Sequence, residues 1–185
     1  MKPEFSRAVF LDRDGVINEE TDHVKSVHDL KMIPHTAEAV RDMHAKGYRV
    51  IVVTNQGAVA KGLTTLRDVH EVHDAVQAEL AKAGAKIDAF YFCPHHPQGS
   101  VKEYAVACDC RKPKTGMLAR AASDWNIDLA KSFLVGDKTS DILAGKQAGV
   151  ATILVKTGYA GRDGQHDVTP DFIADDLMAA TKYIS

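Results

Sequence analysis

The chain has 185 residues, a formal net charge of −2 and an isoelectric point near 6.5. That length suits one domain, residues 1–185, with a sizeable core, and the weakly acidic balance argues against a nucleic-acid partner held by charge. No apolar run approaches the ~20 residues of a membrane helix, and Met1–Arg7 lacks the apolar segment of a secretion signal; the expectation is a cytoplasmic protein with no membrane partner. All three cysteines fall between positions 93 and 110, a clustering that suits a metal site better than a disulfide framework.

Strand and helix patterns alternate along the chain, which predicts an α/β fold with a mostly parallel sheet and helices on its faces. The first strand is Ala8-Val9-Phe10-Leu11, an apolar run suited to burial on both sides. It ends in Asp12-Arg13-Asp14-Gly15. Two carboxylates two positions apart share one side of the chain and sit where open α/β sheets place their ligands. Held that close, they repel unless a cation or a shared proton relieves them. Mg2+ is the simplest such cation and leaves a carboxylate oxygen free to attack phosphorus. The same tripeptide also fits an ordinary polar loop, so the remaining segments decide.

A polar stretch from Asn18 to Lys31 comes next, which reads as a lid over the acids or as a surface loop. Pro34–Lys46 has helical spacing, and Tyr48–Val53 is a second buried strand. It runs into Thr54-Asn55-Gln56-Gly57, short polar groups that suit phosphate oxygens or a capping turn. Thr64–Ala83 reads as an amphipathic helix capped by Thr64 or Thr65. His70 and His73 lie three apart on it, with no third ligand nearby, and read as packing or solvent-facing groups.

The third strand, Asp88–Phe92, leads into Cys93-Pro94-His95-His96. Twelve residues intervene between His95 and Cys108-Asp109-Cys110. Three thiolates and one imidazole make a closed tetrahedral set for structural Zn2+; His95 is the expected nitrogen ligand and His96 the alternative. A zinc staple would close a loop with few apolar residues and fix its neighbours Arg111 and Lys112. Lys112 can bring positive charge to the acids, and Arg111 can clamp a second phosphate or carboxylate. Gly116–Trp125 is a helix and Ser132–Val135 a strand ending in Gly136-Asp137-Lys138. Asp137 can complete the metal site or cap the next helix, and Asp141 can orient Lys138 or a metal-bound water. Val150–Val155 is a fifth strand. Gly158–Gln165 reads as a flexible connection without chemistry, and Phe172–Ala174 as a short strand before a closing helix.

The segments around Asp12 and Asp14, Thr54, Lys112 and Asp137 resemble, in order and spacing, the four motifs of the haloacid dehalogenase superfamily of phosphatases. The wording of the cysteine loop, CPHHPQG…CDCRKP, is similar to the branch holding heptose bisphosphate and histidinol-phosphate phosphatases, as are LDRDG, VVTNQG and VGDK. The resemblance implies a Rossmann-like three-layer sandwich without a large cap domain. It implies Asp12 as nucleophile, Asp14 as general acid and base, and Thr54 and Lys112 as phosphoryl stabilisers. Mg2+ would be held by Asp12, the backbone carbonyl of Asp14, and Asp137. Substrate would be met by Glu20, Thr21, Asp22, His23, Asn55, Gln56, Arg111 and Lys138, and Zn2+ by Cys93, His95, Cys108 and Cys110. The implied substrate is a phosphorylated heptose of lipopolysaccharide or surface-glycan synthesis, with histidinol phosphate as the alternative and a monomer as the working unit. A zinc-containing binding module without turnover is the remaining reading. One departure stands out: the family commonly carries a serine where this chain has Gly57, whose backbone N–H can still donate.

Overall fold

A computed structural model describes residues 6–185; the first five residues, part of the stretch read for a secretion signal, lie outside them. Six strands form one sheet: β1 (Arg7–Leu11), β2 (Tyr48–Asn55), β3 (Ala89–Cys93), β4 (Phe133–Gly136), β5 (Ala151–Val155) and β6 (Phe172–Ala174). Their order is β3-β2-β1-β4-β5-β6, and every neighbouring pair is parallel. The main helices are α1 (Thr36–Ala45), α2 (Leu66–Lys82), α3 (Gly116–Trp125) and α4 (Thr139–Ala148), with a single turn α5 (Leu177–Ala180) near the end.

The alternation of β1 explains the layers. Val9 and Leu11 pack with residues of α1, α2 and α5, whereas Ala8 and Phe10 pack with α3 and α4. All four are fully buried, as expected for a strand covered on both sides. The result is a three-layer α/β sandwich. On α1 the buried residues Thr36, Ala39, Val40 and Met43 recur at i, i+3, i+4 and i+7, one stripe of a 3.6-residue repeat. On α2 the same spacing runs through Val69, Val72, His73 and Val76. His73 therefore occupies a core position, stacked on Phe90 at 4.6 Å, while His70 is exposed. A capping box starts this helix: the Thr65 hydroxyl accepts from the Asp68 N–H at 3.2 Å, and the Asp68 carboxylate accepts from the Thr65 N–H at 2.9 Å. No helix among the described residues is long and apolar enough to cross a membrane.

The chain steps from β1 outward through β2 to β3, returns across the sheet, and steps outward again through β4, β5 and β6. The turning point lies beside β1, where the loops after β1 and β4 diverge and leave a crevice at their carboxyl ends. Asp12, Thr54 and Asp137 all follow or end strands at that edge.

Candidate active site

Three carboxylates converge below the crevice floor. Single oxygens of Asp12, Asp137 and Asp141 all lie within 4.8 Å of one another, and all three residues are buried. Lys112 enters from the opposite side: its Nζ is 3.1 Å from Asp12 Oδ1 and 2.7 Å from Asp141 Oδ1, and it donates to the Val53 carbonyl at 2.7 Å. Burial alone would lower the lysine's pKa, but Asp12 and Asp141 raise it above its ordinary value. One ammonium faces three carboxylates, so two negative charges are left over. Asp137 shows the consequence. Burial first, then Asp12 and Asp141, push its carboxyl up to about 8, and its Oδ1 has no hydrogen-bond partner. A divalent cation between Asp12 and Asp137 matches that leftover charge.

For Asp141 one of the two sequence expectations, orienting the Lys138 side chain, is not met. Its carboxylate pairs with Lys112 and accepts from the Lys138 backbone N–H at 3.1 Å, which caps α4. The first turn of α4 comes this close because residue 136 is glycine; a Cβ there would lie 2.3 Å from that of Asp141. Lys138 reaches into the crevice, where its Nζ pairs with Glu20 at 2.7 Å.

Asp14 turns away from the carboxylate trio. Its Oδ1 accepts from Arg13 Nη2 at 2.8 Å and from Asn18 Nδ2 at 2.9 Å, and its Oδ2 from Gln56 Nε2 at 2.9 Å. Burial opposes its ionisation, yet Arg13 and the two amides hold its pKa below the ordinary carboxylate value. Of the Asp14 groups, only the backbone is left to serve the metal role that the resemblance implies. Gln56 Nε2 also donates to Thr54 Oγ1 at 2.9 Å. Asn55 lines the crevice, and its Oδ1 accepts from the Lys112 N–H while its Nδ2 donates to the Lys112 carbonyl, both at 3.0 Å. It positions the lysine.

Above these groups lies a crevice of about 360 Å³. Glu20, Asp22 and His23 form one wall, so the 18–31 stretch is part of the site. Thr21 is exposed and stands outside the crevice. Gly57, Lys61, His96 and Arg111 line it as well. Lys61 Nζ is 3.4 Å from His23 Nε2. Burial and the neighbouring cations lower the pKa of both His23 and His96, so both imidazoles are neutral near pH 7. A Cβ at Gly57 would meet Arg111 Nη1 at 3.1 Å and His96 Cδ2 at 3.3 Å; the glycine leaves room for these side chains.

The 158–165 segment is not the idle connection that its composition suggests. The Tyr159 N–H donates to Asp137 Oδ2 at 2.8 Å, and the Tyr159 ring lies 4.7 Å beneath Lys138 Nζ. Asp163 accepts from the Thr139 N–H and hydroxyl, each at 2.8 Å. Gly158 has φ +62°, and a Cβ on it would lie 2.2 Å from Asp137 Oδ2. Two glycines flanking a tyrosine, Gly158 and Gly161, are the only hint in the sequence that this segment approaches another backbone closely. Arg13 escapes sequence reasoning altogether, because it reads as a spacer between two acids.

The thiol loop gathers as its spacing predicts. Sγ of Cys93, Cys108 and Cys110 and Nδ1 of His95 make contacts of 3.0–3.7 Å. Ligands about 2.3 Å from a tetrahedral Zn2+ stand about 3.8 Å apart, close to that spacing. No disulfide forms. His96, the alternative ligand, faces the crevice instead.

A parallel sheet with buried carboxylates and a lysine at its turning point defines a haloacid dehalogenase-like phosphatase, a phosphoric monoester hydrolase. The HAD-hydrolase-like family model matches residues 109–180. The chain is 44% identical over 185 aligned positions to the D-glycero-D-manno-heptose-1,7-bisphosphate 7-phosphatase of Thermosynechococcus vestitus, covering 96% of this chain and 94% of that protein. It is 38% identical to the D-glycero-beta-D-manno-heptose-1,7-bisphosphate 7-phosphatase of Haemophilus ducreyi, covering 97% and 98%. Among solved structures, the D,D-heptose 1,7-bisphosphate phosphatase of B. bronchiseptica, complexed with magnesium and phosphate, superimposes with a TM-score of 0.84 at 33% identity, covering 96% and 97%. The chain belongs to the heptose bisphosphate phosphatase family of haloacid dehalogenase-like hydrolases.

Proposed function

We propose that this enzyme removes the 7-phosphate of D-glycero-D-manno-heptose 1,7-bisphosphate, in the synthesis of lipopolysaccharide or another surface glycan. The observation that carries the reading is the pairing of two anion-receptive places, one beneath the crevice and one on its lining. The inner one is the buried Asp12–Lys112 pair, and the outer one is formed by Lys61 and Arg111. A substrate with phosphates at both ends suits that layout. Relatives that carry this substrate in their names support it over most of their length.

In this reading Asp12 attacks phosphorus, an Asp12 O–P bond forms, and the P–O bond to the sugar breaks with its electron pair on the sugar oxygen. Asp14 supplies the proton to that oxygen. Water then attacks the aspartyl phosphate and gives its proton to Asp14, releasing phosphate and restoring both acids. Lys112 stays charged throughout and, with Thr54, faces the oxygens on which charge develops. Asp12, Asp137 and the Asp14 backbone would hold Mg2+, which when bound neutralises carboxylate and phosphate charge. Glu20 and Asp22 weaken the case for an amino-alcohol phosphate, because Glu20 is engaged by Lys138 and Asp22 accepts from the Tyr159 hydroxyl at 3.3 Å. The Cys93, His95, Cys108 and Cys110 set is proposed to hold structural Zn2+.

Phosphate release with Mg2+ tests the reading on both anomers of heptose 1,7-bisphosphate, histidinol phosphate and a hexose phosphate. A kcat/KM for one heptose anomer at least about 100-fold above the other substrates is expected, near 3 kcal/mol of discrimination. A preference for histidinol phosphate would overturn it.

A further inference from the structure

Arg13 stands between the two acids of the first motif, and its side chain is wholly enclosed. An arginine taken entirely out of water costs several kcal/mol unless its donors are met. Here one acid meets the donors on Nε and Nη2. Nε donates to Asp14 Oδ1 at 3.1 Å, and Nη2 donates to Oδ1 at 2.8 Å and to Oδ2 at 3.0 Å. Nη2 also reaches Gln56 Oε1 at 3.3 Å, while Nη1 has no partner. Asn18 and Gln56 add their own donors to the same carboxylate. Five donor contacts from three side chains thus fall on about four lone-pair sites, which holds the carboxylate in one orientation. Gln56 also binds the Thr54 hydroxyl, so the frame that holds the acid is tied to the phosphate side of the site.

We propose that Arg13 is a positioning residue for proton transfer, aiming the Asp14 carboxylate so that it meets the leaving oxygen and later the attacking water. The proposal rests on the assignment of Asp14 as acid and base made above. A planar fork fixes both the direction and the rotation of a carboxylate, which a lysine cannot do. If Arg13 served only to fill space, its loss would weaken all substrates alike. If it aims the acid, its loss falls on esters whose leaving alkoxide needs a proton and spares those whose leaving group departs unaided.

The test is kcat/KM across a series of alkyl and aryl phosphate monoesters, which reports steps through phosphoryl transfer to the enzyme and needs no heptose. Wild type, Arg13→Met, Arg13→Lys and Asp14→Asn are compared with Mg2+ present, each checked by circular dichroism and thermal unfolding. Arg13→Lys keeps charge and much of the volume, and carries the test if Arg13→Met does not fold. The expected result is a loss on the order of 100-fold on alkyl esters and less than about threefold on p-nitrophenyl phosphate, with a steeper leaving-group dependence. Adding Arg13→Lys to Asp14→Asn should change the slope no further. A uniform fall across the series, or no fall, overturns the role of Arg13. A flat series for Asp14→Asn would instead overturn the assignment of the acid, and the two failures are thereby told apart.

Discussion

Two clusters of metal-ligating groups sit at strand ends of this sheet, and they are built in opposite ways. The carboxylate trio lies just past β1, just past β4 and on the first turn of α4, beside elements that the two cores already hold. It has surplus charge, an unpartnered oxygen on Asp137 and a crevice above it. The thiol–imidazole cluster lies on the end of β3 and on a long connection to α3 with little regular structure. Its four ligands face one another and leave no position open. A scaffold that is rigid without its metal can keep coordination positions for substrate; a segment without a core of its own needs all four for itself. The staple still reaches the chemistry, since Arg111 and Lys112 directly follow Cys110 and the Arg111 Nη1 donates to the His95 carbonyl at 3.2 Å.

The sharpest way to break this comparison is to alter each cluster and ask what is lost. Asp12→Asn should reduce phosphate release on the order of 10⁴-fold or more while circular dichroism and metal-free unfolding temperature are kept, because a carboxylate is removed from an overcrowded set. Cys108→Ser should behave oppositely, losing bound zinc by elemental analysis and lowering the unfolding temperature. Its activity should drop at least about tenfold as Lys112 loses its anchor. If Cys108→Ser retained zinc and full stability, the structural role of the staple would be wrong.

A smaller effect should separate the acid cluster by pH. Asp137 has a folded pKa raised to about 8, so the metal-free fold binds a proton that the unfolded chain gives up near pH 4. The contribution of Asp137 to stability is thus fully present below about pH 4 and is lost as pH rises from about 4 through 8. Mg2+ should therefore raise the unfolding temperature more at pH 9 than at pH 6, by roughly 5 °C; equal shifts would contradict the crowding of these carboxylates. Smallest is the core histidine. Burial lowers His73 to about 3, so its neutral form contributes stability above the unfolded value of 6.5, lost as pH falls through that value toward 3. His73→Phe should remove about 1 kcal/mol of the stability difference between pH 7.5 and pH 5.5, measured by urea unfolding at each pH.

Much of this is legible in the chain because certain residue types have few other uses where they stand. Acids after a buried apolar strand and cysteines on both flanks of one loop name their chemistry locally, and the six strands follow from apolar runs and period. The features that stay hidden depend on contacts between distant segments. Nothing near Tyr159 says that its N–H will reach Asp137, and nothing near Asn55 says that its amide will be taken by the Lys112 backbone. Arg13 is illegible for another reason: a charged residue beside an acid is ordinarily solvated, and only its enclosure marks it as different.

The return of the chain across the sheet sets an order in time. Asp12 leaves the ribosome before the lysine that balances it and before the other two carboxylates, which arrive only at positions 112, 137 and 141. A domain folds as a unit and β1 lies between β2 and the later β4, so a partly made chain carries Asp12 with neither counter-charge nor complete cation cradle. The thiol loop lies in sequence between the two halves. The site can therefore assemble only after the second half of the chain has been made, because β1 pairs with β4.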